Sequence, residues 1–95
     1  MVEITKPFEF GYAKLNLKYS QQQIDIVDKV LKMITNHQLK TGDYKDHPLG
    51  KSKLGYRDCH PLFENDPKID LVILYKIEKH RITFCNIGTH REIFA

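Results

Sequence analysis

The feature that most constrains the fold is an uninterrupted apolar run from Leu71 to Tyr75, inside a segment from Ile69 to Ile77 that is rich in β-branched residues. A continuous apolar run of this length is typical of a strand that is buried on both faces. It is far shorter than the ~20 residues that a membrane-spanning helix needs. We therefore predict the central strand of a packed sheet, and no membrane span.

One helix is well marked before this strand. Ser20 to Gln23 has the pattern of a capping box, and apolar residues then recur at helical spacing, which predicts a helix from about Gln21 to His37 that covers a sheet. Earlier, apolar and polar residues alternate from Val2 to Tyr12, which is typical of a half-buried strand, and Pro7 places that strand at an edge or interrupts it. The turn-rich stretch from Leu39 to Gly55 is predicted to be a loop.

The elements together predict an α+β fold with a mostly antiparallel, four-stranded sheet. The three strands expected after the loop are Tyr56 to His60, Ile69 to Ile77 and Arg81 to Ile87. A length of 95 residues fits a single domain, residues 1–95. The first ten residues have no apolar signal core, so we expect a cytoplasmic protein.

Cations are concentrated in the predicted loop and just after it. Residues 38–57 carry five Lys or Arg against two Asp, although the formal charge of the whole chain is only +3. Such a patch can attract phosphate groups. A solvated loop with no ligand explains the charge equally well.

Three histidines, His47, His60 and His90, lie at the ends of predicted elements. Histidine titrates near neutral pH, so a cluster can supply the base and the acid for cleavage of RNA by its own 2′-hydroxyl. Each histidine alone is more often a hydrogen-bonded surface residue. A zinc site is the competing use of the same region, with Cys59, His60, Cys85 and His90 as candidate ligands, but the chain has no Cys-x-x-Cys pair.

The second half of the chain resembles the YafQ branch of the RelE superfamily, the toxins of bacterial type II toxin–antitoxin pairs. The residues that carry the resemblance are Tyr44 to Leu49, Gly55 to His60, Asp70 with Val72 to Ile77, Gly88 to His90, and Phe94. The resemblance covers about the last 52 residues. It implies a compact domain whose N-terminal helices pack on one face of the sheet. It also implies an endoribonuclease that enters the ribosomal A site, cuts translated mRNA without a metal or other cofactor, and is inhibited by a cognate antitoxin protein.

The resemblance also implies roles for individual residues. His47 and His60 match the two family histidines, one acting as general base and the other orienting it or contacting phosphate. Asp70 matches the acid that assists proton transfer, His90 the general acid, and Phe94 the terminal aromatic that holds the base or the substrate. The residues expected to contact RNA are Lys45, Lys51, Lys53, Arg57, Arg81, Asn86 and Phe94.

Three positions depart from the family pattern. Asn86 stands where the family has an arginine that stabilises the transition state, so Arg81, Arg91, Lys51 or Lys53 would have to compensate. The long segment after His60 makes Asp66 a rival of Asp70 for the acidic role. Leu71 replaces an aromatic that would stack on the scissile base. The alternative is therefore a catalytically weak or inactive RelE-fold module that binds RNA, ribosome or antitoxin. Outside the resemblance, a small zinc-binding interaction domain is a third hypothesis.

Overall fold

The computed structural model describes residues 1–50 and 54–94. Five strands form one sheet in the order β1-β5-β4-β3-β2. The strands are β1 (Val2–Ile4), β2 (His47–Pro48), β3 (Tyr56–Cys59), β4 (Val72–Glu78) and β5 (Arg81–Gly88). The helices are α1 (Lys6–Ala13), α2 (Gln21–Thr35) and α3 (His90–Phe94), with 3₁₀ turns at Leu15–Leu17 and Asp43–Lys45.

The predicted central strand is confirmed. β4 lies between β3 and β5 and is antiparallel to both, whereas β1 pairs with β5 in parallel. Leu71, Val72, Ile73 and Tyr75 are at most 2% exposed. The sheet is therefore mostly antiparallel, as expected. β4 is its buried central strand.

The sheet has five strands rather than the predicted four. The additional strand, β2, is only two residues long and lies in the segment predicted to be a loop. It pairs with β3 through His47 opposite Asp58 and Pro48 opposite Arg57. A strand of two residues between turn residues is too short to give an alternating pattern in the sequence.

The predicted strand from Val2 to Tyr12 is wrong beyond Ile4. The Thr5 side chain accepts the Phe8 N–H and caps α1, and Pro7 occupies its first turn, where a missing N–H costs nothing. Phe8 and Tyr12 match helical spacing as well as strand alternation, and their rings stack at 6.2 Å. The N-terminal cap at Thr5 favours the helical period over the strand period.

Helix α2 confirms the capping box. The Gln23 N–H donates to Ser20 Oγ at 3.2 Å, and Gln23 Oε1 accepts the Ser20 N–H at 2.9 Å. The helix ends at Thr35, two residues before the predicted His37, whose φ of 56° is left-handed. None of the helices in the described residues is both long and apolar enough to cross a bilayer.

The core lies between the helices and one face of the sheet. Phe8 of α1 stacks on Phe84 of β5 at 5.3 Å, and the buried Val27 and Val30 of α2 belong to the same cluster. Because side chains alternate along a strand, the residues between the core positions point to the opposite face. That second face carries the candidate site.

Candidate active site

A row of cross-strand partners runs over the face of the sheet that the helices leave free. His47 on β2 is paired with Asp58 on β3, and Asp58 with Leu74 on β4. Cys59, the next residue of β3, belongs to the core under the helices. Asp58 therefore points away from the helices, and the register places His47 beside it.

The loop before β2 fixes the His47 ring. Tyr44 and Lys45 both have left-handed backbones, with φ of 50° and 59°, a conformation that is costly without glycine. The Lys45 carbonyl lies 2.7 Å from His47 Nδ1, so this nitrogen must carry the proton and donate it. The other nitrogen, Nε2, then faces Asp58 Oδ1 at 3.2 Å. That contact is favourable only when the pair shares an additional proton, as imidazolium with carboxylate or as imidazole with carboxylic acid.

Asp58 is the buried acid of the site. It is 3% exposed, and its Oδ1 makes no hydrogen bond of good geometry within the described residues. His47 and His60 approach the same oxygen at 3.2 and 3.9 Å, so the contacts are electrostatic rather than directional. Burial raises the pKa of Asp58, while His47, His60 and His90 oppose the shift.

His60 follows β3 and is the more buried histidine of the cluster. Its side chain is 14% exposed, and its ring lies 5.0 Å from the His90 ring. The pKa of His60 is lowered, first by burial and further by His90, Lys45 and His47, and only Asp58 opposes this. A neutral imidazole that can accept a proton near pH 7 is the expected state.

His90 is positioned at the start of α3 by Asp70, which lies just before β4, at the end of that strand that pairs with Gly88. Asp70 Oδ1 lies 2.6 Å from His90 Nδ1, and the two Asp70 oxygens also accept the His90 backbone N–H at 3.2 and 3.3 Å. Asp70 is exposed, and its pKa is lowered chiefly by the hydrogen bond from the His90 side chain. Asp66 instead accepts the Lys68 N–H within its own turn, so Asp70 is the acid that contacts His90.

Two further predicted residues border this cluster. The Phe94 ring lies 5.9 Å from the His90 ring. The ammonium group of Lys45 lies 4.5 Å from the ring of Phe63 and close enough to His60 to lower its pKa. The structure thus brings together the four predicted catalytic residues, one predicted cation and the terminal aromatic.

The family described as "Bacterial toxin of type II toxin-antitoxin system, YafQ" matches residues 1–95. The chain belongs to the YafQ toxin family. The resemblance in the second half of the sequence is thereby confirmed over the whole chain.

Curated proteins that are similar to this YafQ-family member support the family assignment. Two curated Escherichia coli proteins, from strains B/BL21-DE3 and K12, are each named mRNA interferase toxin YafQ and are 41% identical over 52 residues. The match covers 55% of this chain and 50% of theirs, so the chain spans about half the length of the curated relatives it matches.

Solved structures match over nearly the full chain. A DinJ–YafQ complex from E. coli has a TM-score of 0.80 at 25% identity, covering 100% of this chain and 98% of that one. A metal-bound toxin from Helicobacter pylori has a TM-score of 0.75 at 28% identity, covering 99% and 98%. The predicted RelE-like α+β fold is confirmed.

Not every predicted contact residue of this YafQ-family member lies at the histidine cluster. Arg57 is on the helix side of β3, where its guanidinium donates to Asp46 Oδ2 at 2.7 and 3.2 Å and to Thr41 Oγ1 at 2.8 Å. Arg81 begins β5, about 23 Å along the strand from Gly88 at ~3.3 Å per residue. It pairs with Glu3 at 3.4 Å.

The other cation candidates and the departures from the family pattern are distributed differently. Lys51 and Lys53 lie outside the described residues. Asn86 is half-buried on β5, and its Oδ1 accepts the N–H of Ile87 at 2.9 Å. Leu71, at the position of the family aromatic, is 2% exposed and belongs to the core.

Two buried acids of this family member were missed from the sequence. Asp58 lies inside the Gly55 to His60 motif, two residues before His60. Its place in the site becomes evident only from the pairing of β2 with β3, which puts His47 beside it. Asp46 is 2% exposed and accepts hydrogen bonds from Arg57 and from the Tyr75 hydroxyl. Nothing in the local pattern marks Asp46 as buried.

The candidate zinc ligands are not brought together in the described residues. Cys59 is fully buried on the helix side of β3, and burial raises its pKa well above the usual range. Its neighbour His60 belongs to the opposite face. Among residues 1–50 and 54–94, no three His, Cys, Asp or Glu side chains are grouped to hold a metal ion.

Proposed function

We propose that this protein is a ribosome-dependent mRNA endoribonuclease that cuts RNA by acid–base transesterification. The observation that carries the proposal is the pairing of two histidines of different character, 5.0 Å apart. His60 is half-buried with a lowered pKa, whereas His90 is exposed and hydrogen-bonded to a carboxylate. An acid and a base whose environments differ in this way are the usual arrangement for proton transfer at neutral pH.

In the proposed reaction His60 is the general base. Its neutral imidazole accepts the proton of the RNA 2′-hydroxyl, whose oxygen attacks the adjacent phosphorus. Asp58 then lies 3.9 Å from the newly protonated ring and stabilises its charge. His47 is too constrained to act as the base, because the Lys45 carbonyl and Asp58 already engage its two nitrogens. Its role is to hold the proton shared with Asp58.

His90 is the proposed general acid. Its Nδ1–H is bound by Asp70, which orients the ring and stabilises its imidazolium form, so Nε2–H is available for the substrate. It protonates the 5′-oxygen as the phosphorus–oxygen bond breaks, giving a 2′,3′-cyclic phosphate and a 5′-hydroxyl. Lys45 supplies positive charge for the phosphoryl oxygens, and Phe94 limits the motion of the His90 ring. No metal takes part in these steps.

The uncharged Asn86 favours a second candidate function, a RelE-fold module that binds RNA, ribosome or antitoxin and cleaves poorly. An amide stabilises a dianionic transition state less than a guanidinium does. Arg57 and Arg81 do not compensate in this proposal, since one is held by Asp46 and the other lies at the far end of β5. Asn86→Arg would then create or strengthen cleavage.

The proposed partners are a cognate antitoxin, mRNA and the ribosomal A site, and the proposed compartment is the cytoplasm, where translated mRNA is found. An antitoxin is supported by the DinJ–YafQ complex of the structural relative. It is also supported by exposed apolar side chains, including Leu17 at 81% and Ile4 at 52%. We propose that residues 1–95 form one toxin domain.

The test is primer extension on an mRNA in a purified translation system, with and without ribosomes. We expect the wild type to make site-specific cuts only with ribosomes, and His90→Ala to reduce the rate by ~10²-fold or more. His80→Ala is the matched control, because His80 is exposed in the β4–β5 turn at the other end of the sheet.

The same assay across pH tests the base. Because the pKa of His60 is lowered, the rate should hold down to about pH 6.5 and fall only at lower pH. A flat profile with ribosome binding shown to be fast contradicts histidine chemistry. Equal loss of cleavage in His80→Ala contradicts the assigned site.

A further inference from the structure

A cleft of about 420 Å³ with both polar and apolar walls adjoins the candidate active site at Thr89 and plays no part in the chemistry proposed above. One wall is α1 and the turn after it, and the other is the end of β5 with the start of α3. The residues that matter are Phe10, Lys14, Lys18, Tyr19, Asn86 and Thr89. Thr89 directly precedes His90, so the cleft adjoins the proposed acid.

The cleft exists because β1 covers only part of β5. β1 is paired with residues 82 to 84, and the Thr5 N–H and hydroxyl then bond to the carbonyls of Phe84 and Cys85 before the chain turns into α1. Gly11 lets α1 approach the strand again at Ile87. Between these points the edge of β5 has no neighbouring strand.

The charge of the cleft is positive. Within the described residues, the ammonium groups of Lys14 and Lys18 form no ion pair. Glu92 is the acid of the lining, but its carboxylate accepts the Thr89 N–H at 2.8 Å and caps α3. The pKa of Glu92 is lowered first by that bond, with Lys14 and Lys18 adding to the shift. The cleft thus has the ammonium groups of Lys14 and Lys18 and one carboxylate, that of Glu92, which is already hydrogen-bonded to Thr89.

The cleft also offers aromatic surface. Phe10 is 65% exposed, which is costly for so large an apolar side chain, and Tyr19 lies partly buried in the lining. Cations alternating with aromatic faces are the means by which proteins hold single-stranded nucleic acid without reading its sequence.

We propose that this cleft binds the single-stranded RNA next to the scissile phosphate, with a base stacked on Phe10 and phosphates near Lys14 and Lys18. The inference rests on the proposed function, since it takes RNA as the substrate at His90. An acidic peptide would also satisfy the two lysines. RNA is favoured because Thr89 of the lining directly precedes His90, and because an exposed ring beside two cations suits bases joined by phosphates.

The experiment is an NMR titration of the ¹⁵N-labelled protein with a 2′-O-methyl pentanucleotide of alternating A and U, which has no 2′-hydroxyl and cannot be cleaved. We expect amide shifts at Gly11, Lys14 and Thr89. Lys14→Ala/Lys18→Ala should weaken binding at least fivefold and reduce the slope of log affinity against log salt by about 1.4, at ~0.7 per phosphate contact. Lys29→Ala/Lys32→Ala, with the same charge change on the exposed face of α2, is the control.

The aromatic contact has its own pair of variants. Phe10→Ala should weaken binding about tenfold, whereas Leu17→Ala, at a residue that is 81% exposed, should not. Shifts confined to the histidines, no shifts at millimolar RNA, or cleft shifts with a poly-glutamate peptide but not with RNA would each overturn the proposal.

Cleavage assays separate this inference from the proposed function. A wild type that cuts mRNA, with Lys14→Ala/Lys18→Ala cutting equally well and binding RNA equally well, overturns the cleft and leaves the enzyme. A wild type that does not cut, but binds the pentanucleotide in the cleft through these lysines, supports the cleft and overturns the proposed chemistry.

Discussion

At the scale of single residues, two buried aspartates show how similar burial can have opposite energetic results. Asp46 and Asp58 are 2% and 3% exposed. Asp46 is bonded to Arg57 and to the Tyr75 hydroxyl, so its burial is compensated. Asp58 has one oxygen without a proper hydrogen bond and only histidines nearby, so its burial costs stability and raises its pKa.

We expect Asp58→Asn and Asp46→Asn to change stability in opposite directions at pH 7. Asp58→Asn removes a buried charge and should stabilise the fold by about 1 kcal/mol, while cleavage falls at least tenfold because the histidines lose their counter-charge. Asp46→Asn leaves Arg57 without its carboxylate and should destabilise by roughly 2–3 kcal/mol. Urea unfolding followed by circular dichroism measures both.

The effect of Asp58 on stability should depend on pH. A carboxyl group whose folded pKa is raised contributes stability below its unfolded pKa of ~3.9, and that contribution is lost as pH rises through the folded pKa. The advantage of Asp58→Asn over the wild type should therefore appear above pH 4 and vanish below it. An advantage that is the same at pH 3.5 and pH 7 contradicts the buried ionised carboxylate.

At the scale of elements, α1 approaches β5 closely at Gly11. A Cβ on Gly11 would lie 2.2 Å from the Ile87 carbonyl oxygen and 2.9 Å from its Cγ2. Helix and strand meet backbone to backbone here, which holds Thr89 and His90 at a fixed distance from α1. The glycine is needed for space, since its φ is an ordinary helical one.

Gly11→Ala should therefore destabilise the protein by about 2–3 kcal/mol, because α1 must move away from β5 to admit a methyl group. Gly50→Ala is the control, since a Cβ there meets nothing within 4 Å. Thermal unfolding of the two variants measures the difference. Equal melting temperatures would mean that α1 is held less tightly than this contact indicates.

At the scale of the whole molecule, the central strands are long and the elements that carry two of the site histidines are short. β4 and β5 are paired over seven and eight residues, whereas β2 contributes two residues and α3 five. Short edge elements open locally at little cost. His47 on β2 and His90 on α3 thus belong to elements that are expected to open locally at a lower free energy than β4 and β5.

Native-state amide exchange should reveal this gradient. We expect Ile73 and Ile87, whose side chains are buried in the core, to exchange only through global unfolding. Amides of β2 and α3 should exchange through local opening, at a free energy several kcal/mol lower. Equal protection of β2 and β4 would contradict the gradient.

The sequence predicted those parts of the fold whose signals are local. The capping box at Ser20 and the apolar run of β4 each identify one element, and both are confirmed. Phe8 and Tyr12 fit two periods at once, so the pattern alone predicts a strand where α1 forms. The family resemblance supplied Asp70 and His90 for the site, whereas Asp58 depends on pairing between strands that no local pattern reveals.

The position of β5 between β1 and β4 also has a consequence for synthesis of the protein. A ribosome that has made residues 1–80 has produced both neighbours of β5 before β5 itself, and His90 comes later still. Until those last strand residues emerge, β1 has no partner and the proposed acid does not exist. On the proposed function, a prematurely terminated product lacks nuclease activity, because the strand that completes the sheet and the proposed acid have not yet been translated.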